Sequence, residues 1–204
     1  MNTVLKKHGS GRRMKIVVIG GNPAGLSAAS AIRRIHSDWE IDVYEKDQYV
    51  SYGACGIPYY VADDVKSLDQ LITLTKEKLE EHRKIPVHLF HEVIKVDFEA
   101  NTALVRDLKS QKEFNKPYDY LIIATGAKAK SDPCLDIDHP RIFKVHTLNH
   151  AEQLKSFLEK NKVDSIVIIG SGYIGLEMLE SYIAQGIKGE QITVIGPRLI
   201  FKSE

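Results

Sequence analysis

Twice along this chain a short, continuous, β-branched run ends in closely spaced glycines. The first is Ile16-Val17-Val18-Ile19 before Gly20-Gly21-Asn22-Pro23-Ala24-Gly25. The second is Ser165-Ile166-Val167-Ile168-Ile169 before Gly170-Ser171-Gly172-Tyr173-Ile174-Gly175, about 150 residues later. An apolar run without alternation is how a strand reads when both faces of a parallel sheet are covered. Behind the first glycines, residues 24–35 carry small and apolar side chains at helical spacing, and residues 41–44 read as a second strand. Strand, glycine turn, helix and strand within about 30 residues make a βαβ unit. Behind the second glycines a helix and a strand at 191–195 repeat the pattern. The spacing predicts an α/β chain built from two such units.

Between them, residues 68–83 are predicted helical, ending before Pro86. Residues 87–90, 93–98, 103–107 and 120–123 read as strands, with a turn at Asn101 pairing the second and third as a hairpin. Pro133, Pro140 and scattered Asp and His residues between 128 and 146 predict a linker. Residues 1–13 carry four Lys/Arg, no acid and no apolar core of a signal peptide, so a disordered basic tail is expected, with Met14 the effective start. The expected division is a first domain over 14–150 and a second over 151–204. That second domain is expected to be truncated, since a sheet of two or three strands cannot close a core.

Composition narrows the function. The chain balances 28 Lys and Arg against 27 Asp and Glu and is 43% hydrophobic. It can bury a core but carries no strong field for nucleic acid or an anionic membrane. No apolar run approaches the roughly 18 residues of a membrane span. Two cysteines, Cys55 and Cys134, form no C-x-x-C pair, and His82, His88, His91, His139, His146 and His150 show no ligand spacing. They read as surface residues; no metal is expected. A cytoplasmic protein handling a small molecule or cofactor is the reading that remains.

In the first motif Gly20 permits the tight turn and Gly25 lets the helix sit close to the strand. Backbone N–H groups at the helix start then face a pyrophosphate. Asn22 stands where G-x-G-x-x-G has its second glycine and adds bulk where the phosphate approaches. Glu45 ends the second strand 20 residues after Gly25, where a carboxylate accepts from ribose hydroxyls. With strand, helix and acid in place, dinucleotide binding by Gly20, Gly21, Asn22, Pro23, Ala24, Gly25, Glu45 and adjacent Lys46 is favoured over a structural turn. The second motif matches fully through Gly170, Gly172, Tyr173, Ile174 and Gly175. Its second strand ends in Gly196-Pro197-Arg198 instead of an acid. Arg198 is either a contact for the 2′-phosphate of NADPH or a solvated charge.

Two further stretches join these: Ala124-Thr125-Gly126-Ala127 after an apolar strand, and Val50-Ser51-Tyr52-Gly53-Ala54-Cys55-Gly56-Ile57-Pro58-Tyr59-Tyr60. Together the four motifs resemble the pyridine nucleotide-disulfide oxidoreductases, flavoproteins with successive FAD and NAD(P) domains. Within them they resemble the single-cysteine branch of coenzyme A-disulfide reductases, NADH oxidases and NADH peroxidases. The resemblance covers about residues 14–200 and implies a Rossmann-like FAD-binding domain of three-layer ββα architecture, which Thr125 and Gly126 help close. The start of an NAD(P)-binding Rossmann domain follows. It implies FAD and NAD(P)H as cofactors, a homodimer for the full-length protein, and chains more than twice as long.

From the residues alone, Cys55 before a helix start near Ile57-Pro58 reads more readily as a buried structural cysteine than as a reactive one. The resemblance makes it the redox nucleophile, at a helix end where the dipole favours thiolate. Cys134, among Asp132, Pro133 and Asp136, is expected to be inert. The resemblance places CoA contacts on Ser27, Ala31 and Arg34, at i, i+4 and i+7 of the first helix, and on Ser51, Ala54 and Arg83. Ala31 and Ala54 replace a glutamine and an asparagine, leaving Ser27, Arg34, Ser51 and Arg83 as candidates. Tyr173 matches a tyrosine covering the flavin face, and Glu177 an acid near the nicotinamide. The implied activity passes hydride from NAD(P)H through FAD to Cys55, which reduces CoA-disulfide or a persulfide. The alternative is an NADH oxidase or peroxidase that acts on oxygen species through a cysteine sulfenic acid; its usual histidine is replaced here by Pro23. A third reading is an inactive truncated fragment.

Overall fold

The computed structural model describes residues 13–129 and 139–196, and its contacts divide the chain into two units. One comprises residues up to Ser51 together with Leu74–Gly126; the other comprises Tyr52–Thr73 and the residues from Ala127 onward. The expectations for the basic tail (residues 1–13) except at Arg13, for Cys134 and for Arg198 lie outside the described residues.

The first unit opens with strand β1 (Lys15–Ile19), helix α1 (Pro23–Ile35) and strand β2 (Glu40–Glu45). The chain then gives the short helix α2 (Ile57–Val61) to the second unit. It returns with α3 (Lys76–Arg83), β3 (Val87–Leu89), β4 (His91–Asp97), β5 (Thr102–Asp107), β6 (Glu113–Pro117) and β7 (Tyr120–Ile123). Four strands form a parallel sheet in the order β3-β2-β1-β7, and β4-β5-β6 form an antiparallel one.

The unbroken apolar run of β1 has its explanation in these layers. Ile16 and Val18 pack with Ile41 and Val43 of β2 against Leu26 and Ala29 of α1 and Leu79 of α3. Val17, with Ile19 beside it, packs on the opposite face against Ala103 and Val105 of the antiparallel sheet. The parallel sheet is thus covered by helices on one side and by a second sheet on the other. This is the expected three-layer arrangement.

A polar network joins the two sheets across that second interface. The Asp42 carboxylate lies 2.7 Å from His88 Nε2 and 2.7 Å from Lys116 Nζ, and Lys116 also reaches Glu40 at 3.0 Å. Burial by itself raises the Asp42 carboxyl, but the hydrogen bonds from His88 and Lys116 outweigh it and hold the group below the usual carboxylate range. Tyr44 stacks on His88 with ring centroids 4.8 Å apart, and burial pushes its phenol up to about 12. His88 and His91 are therefore partly buried members of this interface, not the plain surface residues their spacing predicted. His146 and His150 are also engaged, with the Ala127 carbonyl and the Thr147 N–H respectively.

Other local expectations need correction. The predicted helix over 68–83 is a 3-10 turn (Leu68–Leu71) followed by α3, because Thr75 caps a new helix by accepting from the Lys78 N–H. Strand β6 carries no strand pattern in its sequence. It is a mostly exposed edge strand, where polar residues and a terminal Pro117 are tolerated.

The second unit adds α4 (Leu148–Lys160), β8 (Ile166–Ile169), α5 (Tyr173–Ala184) and β9 (Ile192–Ile195), with β8 and β9 parallel. Ile166, Ile168 and Ile192 pack with Val61, Leu154, Met178 and Tyr182. Helix α4 is an addition to the expected elements, although Leu148, Ala151, Leu154 and Lys155 mark its buried stripe.

The packing of the first unit sets the expected effects of substitution. Leu79 is fully buried, and Leu79→Ala should lower the unfolding free energy by about 2–5 kcal/mol in urea titrations. Phe98→Ala, at a site 69% exposed, should stay within about 0.5 kcal/mol. Asp42 has a depressed native pKa, so its contribution is present above its unfolded value of about 3.9 and is lost as pH falls through the native one. Asp42→Asn should therefore lower the urea midpoint at pH 7, and the gap to wild type should close as the pH falls below about 4.

Candidate functional site

The first glycine motif folds β1 directly into α1. Gly20 adopts a φ of +107°, and a Cβ there would sit 2.2 Å from the Ala124 carbonyl oxygen of the Ala-Thr-Gly stretch. A Cβ on Gly25 would lie 2.0 Å from the Gly20 carbonyl oxygen. Only two glycines let the helix begin this close to the strand and to the loop after β7. Pro23 occupies the first helical turn, where its missing N–H costs no helical bond. The ladder starts with the Leu26 N–H donating to the Asn22 carbonyl, so the N–H groups of Ala24 and Gly25 have no helical partner. Asn22 has an extended backbone (φ −96°), a conformation open to any residue, and its Oδ1 is buried without a partner. Such an acceptor is met by a hydroxyl or amino donor of a ligand and not by an ionised phosphate, which the N–H groups of the helix start serve instead.

Glu45, 8% exposed, stands at the end of β2 facing this turn. One of its oxygens accepts from the Gly21 N–H at 2.7 Å and the other from the Asp47 N–H at 2.9 Å. Each keeps a lone pair for a ribose hydroxyl. Lys46, Thr125 and Gly126 are exposed beside these elements. The residues present fit the adenosine diphosphate end of FAD.

The second motif repeats the same geometry. Gly170 has φ +118°, and a Cβ on Gly175 would lie 1.9 Å from the Gly170 carbonyl oxygen. Gly172 takes the place of Asn22 with the same extended backbone, and nothing lies within 4 Å of where its Cβ would be. This open cradle at the start of α5 fits a dinucleotide phosphate. Tyr173 (70% exposed), Ile174 and Glu177 project from the first turns of α5.

Cys55 is an exposed, free thiol on a 3-10 turn, Ala54–Gly56, that runs into α2. The turn is fixed from behind. Gly53 N–H donates to the Leu71 carbonyl, Tyr52 bridges to Ile72, and a Cβ on Gly56 would meet Leu71 Cδ2 at 2.2 Å.

Of the residues assigned to CoA, three share one flank of the first unit. Ser27 and Arg34 are exposed on α1, and Arg83, at the end of α3, donates to Ser30 Oγ at 2.8 Å. Ser30 lies on the same stripe, between Ser27 and Arg34, and the sequence reading missed it. Ser51 differs: it is 7% exposed, has φ +48°, and its N–H donates to the Gly21 carbonyl at 3.1 Å. That bond holds Ser51 against the first glycine motif within the first unit. Among the described residues no cluster of His, Cys, Asp and Glu has the makings of a metal site.

The chain is similar to known proteins over most of its length. The chain is 37% identical over 188 residues to a CoA-dependent NAD(P)H sulfur oxidoreductase of Pyrococcus abyssi, covering 92% of this chain and 41% of that one. It is 33% identical over 190 residues to a coenzyme A disulfide reductase of Staphylococcus aureus strain JH9, covering 93% and 41%. Among solved structures it superposes on an NAD-dependent persulfide reductase from A. fulgidus with a TM-score of 0.84 at 34% identity, covering 91% of this chain and 34% of that one. The chain thus spans about two fifths of the length of these curated relatives. Residues 14–202 match the model of one family, and the chain belongs to it: the pyridine nucleotide-disulphide oxidoreductases.

Proposed function

We propose that this chain belongs to an FAD-dependent NAD(P)H oxidoreductase, cytoplasmic and homodimeric, that reduces CoA-disulfide or a related disulfide or persulfide through Cys55. The observation that carries the reading is an exposed thiol on a packed turn, in a chain that also builds two phosphate cradles of one design. Residues 14–150 serve FAD and residues 151–204 the nicotinamide nucleotide. FAD, when bound, would supply the two-electron redox chemistry that links NAD(P)H to the Cys55 sulfur.

The chain's own groups do the rest. The N–H groups of Ala24 and Gly25 hold the FAD diphosphate and Glu45 its ribose, while Gly170, Gly172 and Gly175 shape the NAD(P)H cradle. Tyr173 and Glu177 attend the nicotinamide. Arg34 and Arg83 supply cations for CoA phosphates, with Ser27 on the same flank; Ser51, buried at the first glycine motif, is set apart from them. The Cys55 thiolate attacks one sulfur of the disulfide, forming a mixed disulfide and expelling one thiolate. Two electrons and a proton then cleave the mixed disulfide, restoring the Cys55 thiolate and freeing the second thiol. One NAD(P)H and one proton are consumed for each disulfide turned into two thiols. Pro23 offers no side-chain proton beside the motif, which supports the reductase over the sulfenic-acid reading.

Cys55→Ser in the intact flavoprotein should abolish NAD(P)H-dependent disulfide reduction while leaving FAD bound and reducible, because a neutral hydroxyl does not attack a disulfide. Normal disulfide turnover in that variant would contradict the assignment. Glu45→Ala removes the ribose acceptor and leaves the Gly21 N–H without its partner, so FAD affinity measured by fluorescence titration should fall by about tenfold or more. An unchanged affinity would remove Glu45 from the site.

A further inference from the structure

Helix α2, which carries the chain away from Cys55, has only 5 residues and cannot hold its own shape. Its supports come from α4 and α5 of the same unit. Val61 packs with Leu154, Met178 and Tyr182. Ser181 of α5 donates its hydroxyl to the Pro58 carbonyl at 2.8 Å. Lys155 of α4, only 7% exposed, donates to the Tyr60 carbonyl at 2.9 Å, pairs with the Asp63 carboxylate and lies 4.3 Å from the Tyr60 ring centroid. Asp63, at φ +69°, also accepts from Gln185 at the end of α5. The Lys155 hydrogen bond holds the Asp63 carboxyl below the usual carboxylate range.

A buried ammonium is costly unless each contact it makes is favourable. Here its donors meet the carbonyl of Tyr60 in the last turn of a helix, where a cation also opposes the negative end of the dipole, and a carboxylate just beyond. Solvating an ordinary surface lysine would need none of this.

We propose that Lys155 is a positioning residue for Cys55: it clamps the C-terminal end of α2 so that the turn bearing the thiol keeps one geometry. The inference rests on Cys55 being the redox centre. It gives α5 two tasks, a nucleotide cradle at its first turn and a grip on the cysteine segment at its last turns. Loss of the clamp leaves the cradle intact and loosens only the thiol.

The test uses the intact flavoprotein carrying Lys155→Met, which keeps the stem and removes the donors. Disulfide-linked turnover should fall by about tenfold or more, since small misplacement of a reacting group costs that much. NAD(P)H-linked reduction of an artificial dye, which bypasses the sulfur, should stay within about twofold of wild type. Amide hydrogen exchange should speed up in a peptide covering 57–65 and stay unchanged in one covering α1. Asp63→Asn should move the turnover and the 57–65 exchange in the same direction by less, and it serves if Lys155→Met does not accumulate. Equal loss of both activities, with faster exchange along the whole chain, would make Lys155 a general stability residue and overturn the proposal. So would unchanged exchange over 57–65. Cys55→Ser run in parallel separates the two ideas: if that variant keeps disulfide turnover, the redox assignment fails, and the exchange data alone then decide whether the clamp exists.

Discussion

Two absent side chains set the chemistry of this molecule. At Gly25 and Gly175 a single added carbon would lie within 2.0 Å of the carbonyl oxygen of Gly20 or Gly170. Without that carbon each helix starts directly off its strand, and the unpaired N–H groups of its first turn point at one spot. Everything proposed for nucleotide binding depends on that contact. The rest of the first unit keeps it in register: β1 is held between β2 and β7 by parallel pairing, and its two faces are buried in two separate cores. The loop after β7 closes over Gly20 from the other side. A side chain at Asn22 is admitted because its backbone is extended, so the departure from the glycine pattern brings no backbone strain, although it leaves the buried Asn22 Oδ1 without a partner.

The cysteine segment obeys a different constraint. It is short and poor in helix-forming length, so its geometry is borrowed. Leu71 supports the turn from one side, and Lys155, Ser181 and Gln185 tie down residues 58–63 beyond it. That division suits a redox centre. The thiol stays exposed for a substrate while the Gly53 and Gly56 N–H groups on either side of it are hydrogen-bonded.

Much of this was legible in the sequence. The glycine spacings, the apolar strands and Glu45 announce their roles because close backbone approach and double-sided burial permit few residue types. The hairpin at Asn101, with φ +51°, is marked by its turn residue in the same way. The features that stayed hidden involve contacts between distant residues. Asp42, His88 and Lys116 carry no periodic signal that they meet across two sheets. Thr75 interrupts a helical pattern by capping a new start, which composition does not reveal. Lys155 could have been noticed, since it falls on the buried stripe of α4 seven residues after Leu148, where a lysine needs a partner. Its partners, Tyr60 and Asp63, lie more than ninety positions away, and only the fold identifies them.

If Cys55 forms a mixed disulfide with the thiol it helps release, mass spectrometry of the as-isolated protein under non-reducing conditions detects it directly. The Cys55 peptide should be heavier by one disulfide-linked CoA, with the adduct lost on treatment with NAD(P)H. A Cys55 peptide carrying a single added oxygen, or a bare thiol that resists alkylation, would contradict the mixed disulfide.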